Sequence, residues 1–315
     1  MTSSKVLDLP TAISRYVTDG MTVAFEGFGH LIPFAAAHEV IRQRRRALTL
    51  CRMTPDLLAD QLIGAGCVSR LVASYFASGS AGSLHEIRRR IENADPDRLD
   101  VEEYSHYGMV CRYQAGASGL PFFPLRSYAG SDIPAVNPDI KKVVDPYGGP
   151  DIYVVPPLRP DVTIVHAQRA DRGGNVQMWG IVGVQQEAAY AAQRVIVTVE
   201  EVVEDHVVRS APNRTVIPAH KVDAVVHCPG GAHPSYVLDH YVRDNAFYRE
   251  WTPISRDRRR LLAWLDQWVD RAPDRAAYLE LLGPARWRSL KVDPVPLEPS
   301  ASSRRVVSTA GGEGW

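Results

Sequence analysis

Residues 19–33 have the sequence DGMTVAFEGFGHLIP, in which a turn, a strand and a glycine-rich loop follow one another. The Asp-Gly pair predicts a turn, and the apolar run at residues 21–25 predicts a buried strand. The loop at residues 26–30 has two glycines, and Pro33 suits the first turn of a following helix. This order of elements is typical of α/β folds.

The same alternation continues along the chain. It predicts further strands at residues 48–52, 70–76, 99–104, 161–166, 195–199 and 222–228, and helices at residues 33–42, 56–63 and 183–193 and from residue 256 onward. We therefore expect an α/β fold with an open, mostly parallel sheet flanked by helices. One domain should cover residues 1–292, followed by a mobile tail at residues 293–315 that is rich in proline, serine and glycine.

Composition excludes several classes of partner. The 36 basic and 36 acidic side chains of the 315 residues cancel, so no overall charge attracts nucleic acid or an anionic membrane. The four cysteines lie far apart, and no cysteine/histidine cluster has the spacing of a zinc site. No run of about 18 apolar residues could span a membrane, and the first residues lack the apolar stretch of a signal peptide. We expect a cytoplasmic protein without a bound metal.

Chemistry is expected at the strand ends, because ligands bind outside the carboxyl ends of parallel strands. Four loops follow predicted strands directly, at Gly27, Gly79, His106 and Gly231. The SGSAGS loop at residues 78–83 lacks the Gly-Lys-Ser/Thr of a P-loop, so it either presents backbone N–H groups to an anion or is a tight turn. The absence of GxGxxG before a helix, of GxSxG and of HExxH argues against dinucleotide, hydrolase-triad and zincin sites.

Residues 19–33 resemble the first signature of family I coenzyme A transferases: an Asp/Asn-Gly turn, an apolar strand, Gly-Gly-Phe and a proline after a short loop. Two positions depart from it, with Glu26 for the first glycine and Ile32 for the glycine before the proline. Both departures recur in A subunits of the 3-oxoadipate type, so they indicate a subfamily. Further similar stretches run in order to about Val269: RMTPDL (52–57), LIGAGC (62–67), AGASGLPF (115–122), HAQRAD (166–171), GNV (174–176), WG (179–180), VTVEE (197–201), PGGAHPS (229–235) and RDNAFY (243–248).

The resemblance implies an A subunit that moves CoA between two carboxylic acids, with a CoA ester as substrate and no bound cofactor. The implied acceptor is a dicarboxylic or 3-oxo acid such as 3-oxoadipate. In the family a glutamate attacks the acyl-CoA thioester, and a glutamyl-CoA thioester follows. That glutamate lies in a Ser-Glu-Asn-Gly motif of the B subunit; this chain has only Ile-Glu-Asn-Ala, at residues 91–94. We therefore expect activity only with a B subunit, in an α2β2 complex.

His106 is the candidate catalytic residue. Related transferases have a substrate-facing glutamine in this stretch, and a related ring-cleaving CoA-ester hydrolase has a catalytic glutamate there. The resemblance implies that His106 faces the substrate and donates a hydrogen bond or orients a carboxylate. The alternative is a structural His106 with Tyr107 in the site. The candidate substrate-binding residues belong to the strand-end loops, namely Gly27, Phe28, Gly29, His30, Gly79, Ser80, Ser105 and Tyr107.

Other polar residues have two interpretations. Glu200 and Glu201 end a predicted buried strand, where a carboxylate is more commonly paired with a helix N-terminus or with a nearby arginine. Glu26 either faces the cleft or holds the signature loop. At most one of Glu102 and Glu103 faces the site, because strand side chains alternate. Three further histidines are candidates that more often brace loops: His30, His166 and His233.

Two other functions compete with the transferase hypothesis. A thioester-hydrolysing or ring-cleaving enzyme on the same scaffold would need an acid where this chain has His106. A non-catalytic effector-binding domain is the second alternative, since this general fold also serves sugar-phosphate-sensing regulators. The chain has no helix-turn-helix or basic reading helix, which disfavours that class.

Overall fold

Strands and helices alternate along the chain. The computed structural model describes residues 4–77, 82–94 and 97–292. Its strands are β1 (Thr22–Phe25), β2 (Leu48–Arg52), β3 (Val68–Ala73), β4 (Asp100–Glu103), β5 (Phe123–Leu125), β6 (Lys141–Val143), β7 (Ile152–Val155), β8 (Val162–Asp171), β9 (Val176–Gln177), β10 (Arg194–Val203), β11 (Thr215–Ile217) and β12 (Ala224–His227).

The helices connect these strands and then form a group at the end of the described chain. They are α1 (Leu9–Tyr16), α2 (Phe34–Arg42), α3 (Leu57–Gly64), α4 (His85–Glu92), α5 (His106–Ala117), α6 (Ile133–Val136), α7 (Gln185–Ala191), α8 (Asp205–Arg209), α9 (Asn245–Arg256), α10 (Arg258–Leu265), α11 (Arg275–Leu282) and α12 (Pro284–Leu290). A π-helical turn, Asp266–Asp270, follows α10.

Nine of the described strands form one sheet. Seven are parallel neighbours, in the order β4-β3-β2-β1-β8-β10-β12. β9 pairs antiparallel with the carboxyl end of β8, and β11 pairs with β9. β5, β7 and β6 make a separate antiparallel sheet. The predicted open, mostly parallel α/β sheet is confirmed.

Both faces of the large sheet are covered, and successive side chains of each strand point to opposite faces. On β1, Val23 and Phe25 point into a core shared with α1 to α3 and α9 to α11. Ala24 points to the other face, where α5, α7 and the small sheet cover it. The helical covers leave the carboxyl ends of the strands as the open edge where loops can form a site.

Two local predictions differ from the structure. The expected strand at residues 70–76 ends at Ala73, because Ser74 turns and its hydroxyl donates to the Met53 carbonyl. The expected loop at residues 105–108 is instead the start of α5, a helix of 12 residues. Its glycines weaken the helical pattern, but packing against α7 and the small sheet stabilises the helix.

The tail predicted at residues 293–315 lies outside the described residues, so the domain boundary at residue 292 stays a prediction. No helix within residues 4–77, 82–94 and 97–292 is long and apolar enough to cross a membrane.

Candidate active site

The carboxyl ends of β1, β2, β3 and β4 lie side by side, because these strands are parallel neighbours. The order of the chain through the sheet reverses at β1, which has β2 on one side and β8 on the other. The crevice at such a switch point is the usual ligand site of a parallel α/β sheet. The loop after β1 therefore stands at the centre of the candidate site.

The backbone of this loop is closely packed. A Cβ atom at Gly27 would lie 2.7 Å from the Leu31 carbonyl oxygen, and Gly29 has a φ of +66°, so both positions require glycine. The Arg52 guanidinium donates to the Gly27 carbonyl at 3.2 Å and to the last carbonyl of β1 at 2.7 Å. Phe28, between the glycines, is 41% exposed. The loop thus presents one aromatic side chain from a fixed backbone.

Glu26 begins this loop and points into the protein. Its Oε1 atom accepts the Tyr113 hydroxyl at 2.7 Å and the Met53 N–H at 3.0 Å. Burial raises the pKa of Glu26 to about 7, although nearby Arg52 and both hydrogen bonds favour the charged form. Of the two interpretations of Glu26, this geometry supports the one in which it holds the loop.

His106 occupies the first turn of α5, directly after β4. Ser105 caps the helix by accepting the Gly108 N–H at 3.0 Å, and its own N–H donates to the Tyr128 hydroxyl at 3.2 Å. The exposed His106 ring has its Nε2 atom 3.0 Å from the Thr54 hydroxyl, which follows β2. Ser105 therefore fixes the helix start, while His106 remains available at the surface.

Aromatic rings flank His106. Phe28 lies edge-on to it with ring centroids 6.4 Å apart, and Tyr75, in the loop after β3, is 6.2 Å away. Tyr75 is 58% exposed and Tyr107 is 53% exposed. Three strand-end loops and the first turn of α5 thus bring together an imidazole, a hydroxyl and two aromatic rings, and the N-terminus of α5 adds a partial positive charge.

Seven of the eight predicted substrate-binding residues divide into three groups. Phe28, Gly29 and Tyr107 are exposed at this edge, whereas Gly27 and Ser105 shape the backbone beneath it. Gly79 and Ser80 lie outside the described residues.

The remaining member of the set, His30, is fully buried. Its Nδ1 is 2.9 Å from the Ile181 carbonyl, and its Nε2 accepts the Leu238 N–H at 3.0 Å. These contacts require a neutral ring with its proton on Nδ1, in agreement with a pKa that burial lowers to about 4. His30 therefore braces the loop against two distant segments.

Glu200 is also engaged inside the protein. It is 2.9 Å from His166 Nε2 and accepts the Tyr241 hydroxyl at 2.8 Å and the Gly230 N–H at 2.9 Å. Burial opposes its ionisation, but these partners outweigh burial and lower the pKa of Glu200 to about 2. Glu200 is therefore paired, but its partners are a histidine, a tyrosine and a loop N–H and not the expected arginine or helix N-terminus.

The other titratable candidates have structural neighbours as well. Buried His233 contacts the Tyr278 hydroxyl at 2.9 Å and Asp244 at 3.1 Å. Glu102 accepts from Arg112 and from Arg70, each at 2.5 Å. Of the acidic residues singled out from the sequence, Glu103 and Glu201 are exposed. Glu201 lies opposite Arg169 on the neighbouring strand β8.

A cavity of about 430 Å³ lies elsewhere, between α1, α2 and α11, and none of its lining residues belongs to the candidate site. The described residues contain no group of three or more His, Cys, Asp or Glu side chains that could hold a metal ion.

Sequence reasoning did not single out Thr54 and Tyr75. Thr54 comes two residues after β2, so the rule that directs attention to strand ends could have found it. Tyr75 was assigned to the predicted strand at residues 70–76, because the sequence pattern continues past the end of β3 at Ala73.

Comparisons with known proteins agree with one another. A sequence profile of the family described as "Coenzyme A transferase" matches residues 6–228. The chain is 53% identical over 266 residues to the A subunit of 3-oxoadipate CoA-transferase from Pseudomonas knackmussii, covering 84% of this chain and 94% of the relative. It is 33% identical over 308 residues to the A subunit of glutaconate CoA-transferase from Acidaminococcus fermentans, covering 92% and 96%. The crystal structure of glutaconate CoA-transferase from that organism superposes with a TM-score of 0.87 at 33% identity, covering 92% of this chain and 96% of the other.

Proposed function

The chain belongs to the coenzyme A transferase family, and on that premise we propose that it moves CoA from an acyl-CoA to a dicarboxylic or 3-oxo acid resembling 3-oxoadipate. The choice of acceptor rests on the 53% identity between this chain and the A subunit of a 3-oxoadipate CoA-transferase. The proposed site is the group of strand-end residues around His106.

A partner B subunit supplies the nucleophilic glutamate in this proposal. The chain has no Ser-Glu-Asn-Gly motif, and its nearest segment places Glu92 on the exposed end of α4, paired with Arg88 at 2.9 Å. Glu26 and Glu200 are buried and already hydrogen-bonded. In the family the attacking glutamate lies in the Ser-Glu-Asn-Gly motif of the B subunit, so the resemblance implies that the glutamyl-CoA thioester forms on the partner.

His106 acts on the reacting groups through a hydrogen bond. If the Thr54 hydroxyl donates to Nε2, the ring proton resides on Nδ1, which is then the donor of the ring. A donor aimed at the oxygen that becomes negative in the thioester exchange stabilises the transition state. Phe28 and Tyr75 restrict the ring and offer apolar surface to the acyl group.

The state of the cysteines bears on the compartment in which the proposed reaction takes place. The four cysteines are all free and buried, as is typical of a reducing compartment, which supports action in the cytoplasm. An α2β2 assembly is the proposed form, with CoA esters as substrates and no resident cofactor.

Co-expression with the B subunit tests the proposal. The purified complex should transfer CoA between acyl-CoA donors and acids, with 3-oxoadipate among the best acceptors in a panel that includes glutaconate and acetate. Release of free CoA without transfer to any acid would instead favour the hydrolase alternative. Binding of a small effector without either reaction would favour the regulatory one.

A further inference from the structure

One buried carboxylate connects three separate parts of the candidate site. Glu26 follows β1 and directly precedes the Gly27–Phe28 loop. Its Oε1 atom accepts the Met53 N–H, at the carboxyl end of β2. The same atom accepts the Tyr113 hydroxyl, from the middle of α5. A single oxygen atom therefore joins a loop, a strand end and a helix.

Each of these three elements carries one of the site side chains. Thr54 is the next residue after Met53, so the backbone that Glu26 holds also sets the position of the Thr54 hydroxyl. His106 lies on the same helix as Tyr113, about two turns towards its N-terminus. Phe28 is two residues beyond Glu26 itself. The contacts of His106 with Thr54, at 3.0 Å, and with Phe28, at 6.4 Å between ring centroids, both depend on how these elements are joined.

The surroundings give Glu26 little freedom to adopt another arrangement. Its side chain is 1% exposed, and Tyr113 is fully buried. Arg52 is a nearby cation, but its two terminal guanidinium nitrogens already donate to the carbonyls of Phe25 and Gly27 and to Asp56 at 2.8 Å. Buried donors that lose their acceptor must find another or remain unsatisfied at a cost in free energy.

We propose that Glu26 is a positioning residue that sets the geometry of His106, Thr54 and Phe28 without touching the substrate. This inference rests on the proposed function, because it assigns the reaction to the site around His106. It differs from a stability role in that loss of the Oε1 acceptor should displace the three side chains relative to one another in a chain that is still folded.

Two substitutions of Glu26 distinguish the loss of its hydrogen-bond acceptor from a change in side-chain size. Glu26→Gln keeps a carbonyl oxygen that can accept both hydrogen bonds, whereas Glu26→Met keeps the length of the side chain but offers no such acceptor. In the complex with the B subunit, we expect Glu26→Met to lower kcat about 10- to 100-fold, since small misplacements of catalytic groups cost that much. The KM for acyl-CoA should stay within about threefold, and Glu26→Gln should retain most of the activity.

A spectroscopic measurement on the full chain reports the geometry directly. Histidines labelled with 13C at Cε1 give one resonance each, and His106→Gln identifies the resonance of His106. That resonance should shift in Glu26→Met and remain near its original position in Glu26→Gln. An unshifted resonance in a folded Glu26→Met chain would overturn the proposal, as would wild-type kcat in that variant.

The chain contains a matched control. Tyr241 donates to Glu200 at 2.8 Å and, like Tyr113, is a buried tyrosine bonded to a buried carboxylate. Tyr113→Phe should lower kcat about three- to tenfold, corresponding to one lost hydrogen bond, and Tyr241→Phe should leave kcat unchanged. Equal losses in both variants would mean that the effect is general destabilisation. If the wild-type complex exchanges no CoA at all, the proposed function fails, and the His106 resonance still decides the role of Glu26.

Discussion

His106 combines a solvent-facing position with a defined hydrogen bond to Thr54, and its side chain is the sharpest test of the site. We expect His106→Ala in the assembled complex to lower kcat by about 10²–10³, the effect of removing one donor to a developing negative charge. His106→Gln should retain more activity, because the amide still donates. His106→Glu would place a carboxylate at this strand end, the residue type that the resemblance implies for a ring-cleaving hydrolase, and should increase thioester hydrolysis.

Initial rates of CoA exchange and of free CoA release measure these outcomes. Size-exclusion chromatography of each variant with the B subunit serves as the control for assembly. If His106→Ala is fully active, or if the complex dissociates, His106 is structural and the substrate contact belongs to Tyr107 or to the Gly27 loop.

Thr54 should have a smaller effect than His106, because it acts on the ring rather than on the substrate. Thr54→Val keeps the shape but removes the hydroxyl that lies 3.0 Å from Nε2. The expected loss in kcat is about three- to tenfold, the size of one neutral hydrogen bond. Thr54→Ser should behave like the wild type, and a fully active Thr54→Val would show that the ring holds its orientation through Phe28 and Tyr75 alone.

At the scale of elements, the junction of β1, β2 and α5 contains a group whose ionisation opposes folding. The pKa of Glu26 rises from 4.5 to about 7 on burial. A raised folded-state pKa adds stability at low pH that is lost as pH rises through about 4.5 to 7. The difference corresponds to roughly 3 kcal/mol at most between the two ends of this window.

Glu26→Gln removes this titration while keeping the acceptor. The melting temperature of the Glu26→Gln chain relative to wild type should therefore increase from pH 5 to pH 8. Asp60 has a pKa that burial raises to about 7 as well, but it is present in both proteins and cancels in the comparison. A difference in melting temperature that does not vary with pH would contradict the assignment.

A comparison of predicted and observed helices and strands shows which elements the sequence pattern could predict. The apolar run of β1 and the two glycines after it correctly predicted a strand and a loop at the sheet edge. α5 was missed, because a helix buried on several sides has no amphipathic pattern to detect. A bracing role was one of the two interpretations of His30, but the sequence could not identify its partners, because residues 181 and 238 are far away in the chain.

For the whole molecule, the fold and the family could be predicted from sequence because many short stretches agreed in order, and both predictions are confirmed. The site set stays a prediction. His106 and Phe28 meet at the same edge of the sheet although β2 and β3 lie between their strands. Glu26 and His30 instead turn inward, because desolvation and distant partners decide their orientation. Sequence spacing does not contain that information.

Assembly provides the test at this scale. The isolated chain should have no transferase activity, because its accessible edge supplies a donor and aromatic surface but the proposed nucleophile is on the B subunit. With B present, native mass spectrometry should detect α2β2. Trapping with borohydride or hydroxylamine in the presence of acyl-CoA should modify a glutamate of the B chain. Robust CoA exchange by the chain alone, or a modified glutamate at Glu103 or Glu200, would refute the assignment of the nucleophile to the B subunit.

The position of β1 also has a consequence for how the chain folds during synthesis. β1 lies inside the sheet, yet its neighbour β8 pairs with it through residues 162–164, long after β1 has left the ribosome. Until then the nascent chain exposes an unpaired, apolar strand edge, which is a template for aggregation. We therefore expect a fragment that ends at residue 160 to accumulate in the insoluble fraction, and the full chain to refold slowly from urea because its pairing is non-local. A soluble, monomeric fragment with cooperative melting would show that the first four strands are stable without β8.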